Sequence, residues 1–323
     1  MRDRDIIYRL NADWNRKTIR VKRAGGQTNR NYVVEHKKKK FFVRLPWETH
    51  VINRTIEGQN ILALSKNKKL VSILPRYHAY VLNKKNILNP KERDVFDVPD
   101  GTVVADYIEA REFTAKDFTV KESQKTLAKT LCIFHESGVR FVNKYDVFAD
   151  EIAKYRIAAQ KHNTRECVDD AVIAFFKNAE KQAKKKIVLT TKGIGTHNDF
   201  IFQNFLLDKK GKVYILDFEY AGMNMRGGRY YDFGFLFADN LFRRPVITKK
   251  TFEEFLSVAD TMYKKKLDRE QVYATVSAVI VMQFWWGIVR YFSVQTKKEK
   301  HYFAEYIKVR AKKAEDLLRN LQM

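Results

Sequence analysis

The sequence predicts an α+β fold with two lobes, a β-rich N-terminal lobe followed by a larger, helical C-terminal lobe. Two observations support this prediction. The first hundred residues contain short apolar segments separated by turn residues, whereas apolar residues recur mostly at helical spacing from Ala115 onward. The chain has 323 residues, 45% of them hydrophobic, which is enough for two lobes with a core each. We place the boundary so that the lobes comprise residues 1–104 and 105–323.

The N-terminal lobe is predicted to consist mainly of strands. Two apolar segments on either side of a lysine-rich turn are typical of a β-hairpin, and a helix is expected to follow them. The predicted strands cover 18–22, 31–35, 41–45, 70–74, 79–82 and the segment TVVADYIEA after Gly101, and the helix covers 51–65.

The C-terminal lobe is predicted to be mostly helical, with one small hairpin. The predicted helices cover 121–136, 146–162, 168–185, 251–265 and 268–294, and the hairpin strands cover 205–207 and 213–216. The spacing of Thr251 and Glu254 is that of a capping box. Residues 272–289 form a stretch of eighteen residues without a charged side chain, and this length is the lower limit for a membrane span. The stretch includes the polar residues Thr275 and Gln283. We therefore expect a buried helix there.

The chain is strongly basic, with a formal net charge of +24. Such a charge is compatible with a polyanionic partner or with a lysine-biased composition. The lysines form short runs at 37–40, 184–186 and 264–266, without a recognisable nucleic-acid motif. We therefore expect no dedicated nucleic-acid binding. Peripheral contact with an anionic membrane and faster entry of a phosphorylated substrate remain open, and the oligomeric state cannot be read from the sequence.

The cysteine content and the N-terminal segment indicate a compartment. Cys132 and Cys167 alone cannot form a disulfide framework or a zinc site, and they fit a reducing environment. The first residues, MRDRDIIYRL, carry charges throughout and contain no apolar core of signal-peptide length. The sequence therefore predicts a cytoplasmic protein.

The segment HNDFIFQN carries the clearest chemical motif. His197, Asp199 and Asn204 have the spacing of a phosphoryl-transfer loop, and a short predicted hairpin leads from them to Asp217 and Glu219. Phosphoryl transfer needs a carboxylate beside the acceptor hydroxyl and oxygen ligands for a magnesium ion. The motif therefore predicts a phosphotransferase, although a plain structural hairpin between helices has a similar pattern.

The N-terminal lobe supplies candidate groups for binding phosphate. Gly25 and Gly26, followed by Thr28 and Asn29, lie in a turn between two predicted strands, where glycine lets backbone N–H groups approach phosphates. Two further candidates are Arg44, at the end of the next strand, and Glu57, on the helix after it. Arg44 could reach the phosphates while Glu57 holds it, or the two could form an ordinary surface pair.

The segments GGQTNRNYVV, FVRLP, INRTIEGQN, THNDFIFQN and ILDFEYAGMNMRGG resemble, in this order, the choline/ethanolamine kinase family within the protein-kinase-like fold. The resemblance implies a two-lobed fold with ATP in its cleft and adenine against the connector at Asp106, Tyr107 and Ile108. It also implies that Asp199 is the catalytic base. The implied magnesium ligands are Asn204 and Asp217, with Glu219 as a further acidic residue, and Arg44 and Glu57 would serve the phosphates.

The substrate site follows from the same resemblance. Choline is a quaternary ammonium ion, which requires aromatic faces and a carboxylate. The resemblance places Tyr220, Asp232 and Trp286 in this site, and Trp285 is a further candidate. Val289 stands where the family's W-G-x-W segment has its second tryptophan. Choline is the first expected substrate, and ethanolamine, another amino alcohol, thiamine or an aminoglycoside are alternatives.

Two functional classes therefore compete. One is a small-molecule kinase that uses Mg²⁺ and ATP, and the other is a non-catalytic basic binding module on a kinase-like scaffold. The presence of Asp199, Asn204 and Asp217 favours the enzyme, because a dead scaffold usually loses its metal ligands. A protein substrate is less expected, since no activation segment ending in A-P-E follows Glu219.

Overall fold

The computed structural model describes residues 2–24, 29–47, 52–91, 94–243 and 246–320. The chain divides into two compact units. The first comprises Met1–Phe113, Ile133–Asn143 and Gln203–Ala221, and the second comprises Thr114–Cys132, Lys144–Phe202 and Gly222–Met323. The sequence-based division after residue 104 does not include the two later segments that return to the first unit.

The first unit is built on antiparallel strands. Its elements are α1 (Asp3–Arg9), β1 (Ile19–Arg23), β2 (Asn29–His36), β3 (Lys39–Pro46), α2 (Arg54–Lys66), β4 (Tyr77–Leu82), β5 (Lys85–Asn86), β6 (Val103–Asp106), β7 (Ala110–Glu112), β10 (Phe205–Asp208) and β11 (Val213–Ile215). Among the described residues, one six-stranded sheet has the order β1-β2-β3-β6-β4-β5, and one three-stranded sheet has the order β11-β10-β7. The predicted hairpins of β2 with β3 and of β10 with β11 are confirmed.

Two predictions for the first unit need correction. The strand predicted over 70–74 is wrong, because the segment forms successive turns in which Leu70 N–H donates to the Asn67 carbonyl and Ile73 N–H donates to the Leu70 carbonyl. Leu70, Ile73 and Leu74 are buried at the i, i+3, i+4 spacing of a helical turn. Helix α2 begins at Arg54 instead of residue 51, because the Asn53 side chain accepts hydrogen bonds from the first turn.

The second unit is mainly helical. Its elements are α3 (Ala115–Phe118), α4 (Lys121–His135, whose last turn belongs to the first unit), β8 (Lys144–Tyr145), a π-helical turn (Phe148–Ile152), α5 (Ala153–Ala159), α6 (Asp170–Lys186), β9 (Leu189–Thr196), β12 (Gly222–Arg226), α7 (Arg229–Arg243), α8 (Lys249–Asp260), α9 (Arg269–Ser293) and α10 (Lys297–Asn320). Strand β12 lies between β8 and β9. The predicted helices exist, whereas β9, β12, α7 and α10 were not predicted.

Helix α9 forms the core of the second unit and packs against α5, α6, α7 and α10. By length and composition it is the one described helix that could cross a membrane, and 83% of its most apolar window is buried within the structure. This burial supports the prediction of a core helix. Gly234 allows α7 to lie close to α9, because a Cβ at that position would meet the backbone of Thr275 at 2.8 Å.

One helix start differs from the prediction. Thr251 was expected to cap its helix, but α8 begins earlier, at Lys249. The Thr248 side chain accepts a hydrogen bond from the backbone N–H of Thr251, so Thr248 is the N-cap. Two threonines three residues apart both fit a capping position, and the sequence alone does not distinguish them.

Candidate active site

A buried ion pair lies at the centre of the first unit. Arg44, on β3, is in hydrogen-bond contact with Glu57, on α2, and the two residues are 8% and 1% exposed. The Arg44 Nη2 atom also donates to the carbonyl oxygen of Gly101 at 3.2 Å. Gly101 has a φ of +87°, and a Cβ there would lie 2.6 Å from the Arg54 side chain. The predicted Arg44–Glu57 contact is therefore present, and the surface-pair alternative is wrong.

Two further side chains hold Glu57. The Arg54 Nη1 atom lies 2.8 Å from Glu57 Oε2, and the Tyr80 hydroxyl donates to the same oxygen at 2.7 Å. Burial alone would raise the pKa of Glu57, but the charges of Arg44 and Arg54 outweigh burial and lower it. Glu57 is therefore an ionised carboxylate between two guanidinium groups.

The two carboxylates of the D-F-E segment lie beside these arginines. The Arg44 Nη1 atom is 3.6 Å from Asp217 Oδ1, and the Arg54 Nη1 atom is 3.9 Å from Glu219 Oε2. The Asp217 side chain is 34% exposed and that of Glu219 is 9% exposed. Asp217 has a φ of +60°, an unusual conformation for a non-glycine residue that is often found at functional sites.

The environment separates the two carboxylates chemically. Burial, and then the charge of Asp217, raise the pKa of Glu219 to about 7. Burial alone would lower the pKa of Arg44, but the carboxylates of Glu57 and Asp217 outweigh it and raise the pKa above its usual range. The cluster thus contains permanently charged arginines, an accessible Asp217 and a Glu219 that can carry a proton near neutral pH.

Asn204 ends a 3₁₀ turn, Phe202–Asn204, and precedes β10. Its carbonyl oxygen accepts a hydrogen bond from the Leu216 N–H at 2.8 Å, so the backbone of Asn204 lies beside the residue before Asp217. Within the described ranges no cluster of three His, Cys, Asp or Glu side chains has metal-binding geometry. The predicted set of Asn204, Asp217 and Glu219 offers oxygen donors of the kind Mg²⁺ prefers, and Mg²⁺ commonly keeps water and phosphate as its remaining ligands.

The residues predicted to bind the nucleotide are only partly described. Gly25, Gly26 and Thr28 lie outside the described residues. Asn29 is buried at the start of β2. Asp106 ends β6 and contacts His78 Nε2 at 2.7 Å, and the Tyr107 N–H donates to the carbonyl of Lys40 at 3.2 Å. Asp106, Tyr107 and Ile108 therefore lie on the connector that leaves the large sheet, and their contact with adenine stays a prediction.

In the second unit, Asp232 holds the loop that carries Asp199. The two Asp232 carboxylate oxygens accept hydrogen bonds from the backbone N–H groups of His197 at 3.1 Å and Asn198 at 2.9 Å. Asp232 is fully buried. It was predicted to bind substrate, and the contacts seen here indicate that it positions the loop.

Asn198 adopts a left-handed conformation, with a φ of +66°, immediately before Asp199. Its side-chain oxygen accepts hydrogen bonds from the Thr196 hydroxyl at 2.7 Å and from Asn224 Nδ2 at 3.0 Å. The Asp199 N–H donates to His197 Nδ1 at 3.3 Å. Hydrogen bonds with Thr196, His197 and Asn224 therefore hold the loop in place, and Asp199 itself is only partly buried.

The aromatic residues predicted for the substrate site have different environments. Trp285 is 1% exposed and packs against Phe284, which is typical of a core residue. Trp286 is more exposed and faces α10, with its ring 5.7 Å from Phe303 and 5.5 Å from Tyr306. Tyr220 lies in the turn after Glu219 and is partly buried. Their contacts with substrate stay predictions.

Several residues at these positions were missed by the sequence reasoning. Arg54 could have been noticed, because it precedes Glu57 by three residues on a predicted helix and so shares its face. Asn224 lies within the segment ILDFEYAGMNMRGG that carries the family resemblance, but no role was predicted for it. The residues for which no role was predicted are Arg54, Tyr80, Asn198 and Asn224.

The sequence profile of the choline/ethanolamine kinase family matches residues 78–315. This chain belongs to the choline/ethanolamine kinase family. The matched range includes Asp199, Asn204 and Asp217, as well as Trp286. A comparison with curated protein sequences found no significant match.

Solved structures confirm a protein-kinase-like fold for this family member. A choline/ethanolamine kinase family protein from Mesorhizobium loti has a TM-score of 0.67 and 19% identity, over 93% of this chain and 88% of that one. The choline kinase LicA from Streptococcus pneumoniae has a TM-score of 0.64 and 19% identity, over 92% of this chain and 94% of that one. A structure of LicA in complex with AMP has a TM-score of 0.66 and 19% identity, over 99% of each chain. A microcompartment-associated aminopropanol kinase has a TM-score of 0.73 and 14% identity, over 99% of this chain and 98% of that one.

Proposed function

We propose that this family member transfers the γ-phosphoryl group of ATP to the hydroxyl group of a small amino alcohol. The observation that carries the proposal is the arrangement around Asp217. An accessible carboxylate in a left-handed conformation lies 3.6 Å from a buried arginine, which is itself held by Glu57. An accessible carboxylate beside a buried cation fits a magnesium-bound polyphosphate.

The proposed reaction assigns a separate role to each of the candidate residues. Asp199 would accept or orient the proton of the acceptor hydroxyl, and Asp232 and Asn198 hold its loop in place. Asn204, Asp217 and Glu219 would hold Mg²⁺, and Arg44 would add positive charge near the phosphates. A bound Mg²⁺ would neutralise charge on the transferring phosphoryl group.

The proposal of ATP as donor is supported by the related choline kinase that binds AMP. Choline is the substrate that the sequence resemblance favours first, with phosphocholine as the product. Related structures include an ethanolamine kinase and an aminopropanol kinase, so the family's fold serves more than one amino alcohol. Val289 stands where the family's W-G-x-W segment has its second tryptophan. A comparison of the activities with these alcohols is therefore the informative experiment.

The purified protein should consume ATP only when Mg²⁺ and an acceptor alcohol are both present. The test is ADP release with choline, ethanolamine, 1-amino-2-propanol, thiamine and an aminoglycoside as acceptors. Asp199→Ala should lower turnover by about 10²- to 10⁴-fold while ATP binding is kept, because a general base contributes that much to the rate. Asp170→Ala, which changes an exposed carboxylate paired with Arg165, is the matched control and should leave turnover unchanged.

Failure of all five alcohols to stimulate ATP consumption would overturn the kinase proposal and favour a non-catalytic basic binding module. Full activity of the Asp199→Ala protein would show that another residue is the base.

A further inference from the structure

Three helices of the second unit meet around a buried arginine. Arg310, on α10, is 3% exposed, and its guanidinium carbon lies 3.3 Å from the centroid of the Tyr306 ring. Its Nη2 atom lies 4.0 Å from Asp239 Oδ1, on α7, and its Nε atom donates to Gln283 Oε1, on α9, at 3.3 Å. Gln283 Nε2 also donates to Asp239 Oδ1 at 3.3 Å. The guanidinium therefore lies against an aromatic face with a carboxylate and an amide beside it.

The aromatic side of this cluster is rigid. The Trp286 ring lies 5.5 Å from that of Tyr306, and a Cβ at Gly287 would come within 2.9 Å of the Tyr306 ring. The close approach of α9 to α10 thus fixes the ring on which Arg310 lies. Aromatic faces with a nearby carboxylate are the components with which proteins bind a quaternary ammonium ion. In this chain, a guanidinium already lies among these components.

Helix α7 connects the cluster to the Asp199 loop. Asp232, which holds the loop, and Asp239, beside Arg310, are seven residues apart on α7. Seven residues rotate a helix by about 700°, close to two full turns, and advance it by about 10 Å. The two carboxylates therefore lie on the same side of α7, so the cluster is on the helix face that supports the loop.

We propose that Arg310 occupies the position that a substrate's quaternary ammonium group would otherwise take, and that it thereby determines the choice among amino alcohols. A trimethylammonium group has no N–H donors, so it depends on aromatic faces and loses its main attraction where Arg310 lies. A primary amine can be held by hydrogen-bond acceptors elsewhere. The preferred substrate is then a primary amino alcohol instead of choline. The substrate preference rests on the proposed kinase function, whereas the occupancy of the cation position does not.

Binding of tetramethylammonium tests the occupancy without any turnover. The full chain and its Arg310→Met variant are titrated with tetramethylammonium chloride, and binding is followed calorimetrically. We expect the variant to bind at least about tenfold more tightly than the unaltered protein, since it exposes the Tyr306 face and frees the position beside Asp239. Arg290→Met is the matched control, because Arg290 is exposed and lies over Phe303 at 5.4 Å. It should bind like the unaltered protein.

Steady-state kinetics test the preference. In the unaltered protein the KM for choline should exceed that for ethanolamine by at least about tenfold. Arg310→Met should lower this ratio by a similar factor while the KM for ATP stays constant. If Arg310 had a purely structural role, its replacement would change the KM values for choline, ethanolamine and ATP together, or would change none of them.

Three results would overturn the proposal. The first is that tetramethylammonium binds equally tightly to the unaltered protein and to Arg310→Met. The second is that a folded Arg310→Met protein does not bind tetramethylammonium. The third is that the ratio of the KM for choline to the KM for ethanolamine is unchanged in the variant. Arg310→Gln, which removes the charge but keeps a polar side chain beside Gln283 and Asp239, is the second variant in case the methionine variant does not fold. If both variants unfold, Arg310 is a core residue and the proposal is abandoned. If no alcohol is phosphorylated by any protein, the kinase function fails, and tetramethylammonium binding still decides the role of Arg310.

Discussion

The two units hold their buried carboxylates in different ways. In the first unit, Glu57 lies between Arg44 and Arg54, which lower its pKa despite burial. In the second unit, the buried Asp232 accepts hydrogen bonds from two backbone N–H groups, and the partly buried Glu151 accepts one from the Tyr145 hydroxyl at 2.6 Å. Burial raises the pKa of Glu151 to about 7, although the hydrogen bond from Tyr145 lowers it.

The difference shows which charges each unit can present to a ligand. Arginine partners keep Glu57 ionised and leave a cation beside Asp217, as a site for metal-bound phosphates requires. Neutral donors in the second unit orient the Asp199 loop without placing a guanidinium on Asp232. Arg310 differs from these neutral donors, since it is a buried cation near a carboxylate, Asp239.

The largest effect should come from breaking the arginine pattern. Glu57→Ala leaves Arg44 and Arg54 without their shared partner, and removing one member of a buried ion pair costs about 3 to 5 kcal/mol. The free energy of unfolding, measured in urea, should fall by that amount. Glu109→Ala, which removes an exposed partner of Lys40, is the control and should leave stability unchanged. Equal effects of the two changes would mean that burial does not distinguish these pairs.

A smaller effect is expected where neutral donors hold the acid. Asp232→Asn keeps one acceptor oxygen for the loop and loses the other, so stability should fall by about 1 to 3 kcal/mol. Because Asp232 holds the backbone of the loop that carries Asp199, we expect kcat to fall while the KM for ATP is kept. Steady-state kinetics against ATP provide the measurement. A rise in the KM for the alcohol alone would instead support the prediction that Asp232 binds substrate.

An effect of similar size is a pH dependence at Glu151. Its folded-state pKa of about 7 lies above its ordinary value of 4.5, so the folded protein binds the extra proton between these values. The contribution of Glu151 to stability therefore falls as pH rises from about 4.5 to 7. Glu151→Gln removes this loss. The free energy of unfolding of the variant minus that of the unaltered protein should therefore be higher at pH 8 than at pH 4.5, by about 1 to 3 kcal/mol.

Tyr145→Phe sharpens the same measurement. It removes the hydrogen bond that lowers the pKa of Glu151, so the pH range of the stability loss should move upward. Urea unfolding at several pH values measures both variants. A difference between Glu151→Gln and the unaltered protein that does not change with pH would show that Glu151 has the same pKa in the folded and unfolded states.

Much of the first unit's site could be predicted from the sequence, because its residues lie in short motifs. Arg44 and Glu57 were identified from a strand followed by a helix, and the structure confirms their contact. The part played by Tyr80 was not predictable, since it depends on how β4 packs against α2. The strand expected over 70–74 failed because an apolar run does not by itself distinguish a strand from a turn.

The second unit's site was less accessible to sequence reasoning. Asp199 lies within a motif, but the residues that hold its loop come from β12 and α7, neither of which was predicted. Asp239, Gln283 and Arg310 are separated by 44 and 27 residues along the chain. No local pattern connects them. Their association depends on the packing of α7, α9 and α10, which only the structure reveals.

The first unit consists of three separate stretches of the chain, the last ending at Ala221. During synthesis from the N-terminus, the six-stranded sheet is complete by Asp106, whereas β10 and β11 emerge about a hundred residues later. Contacts between such distant segments close large loops and slow folding. We therefore infer that a nascent chain of about 115 residues contains Glu57 but lacks Asp217 and Glu219, the second acidic neighbours of Arg44 and Arg54. The unit then matures only after much of the second unit has been synthesised.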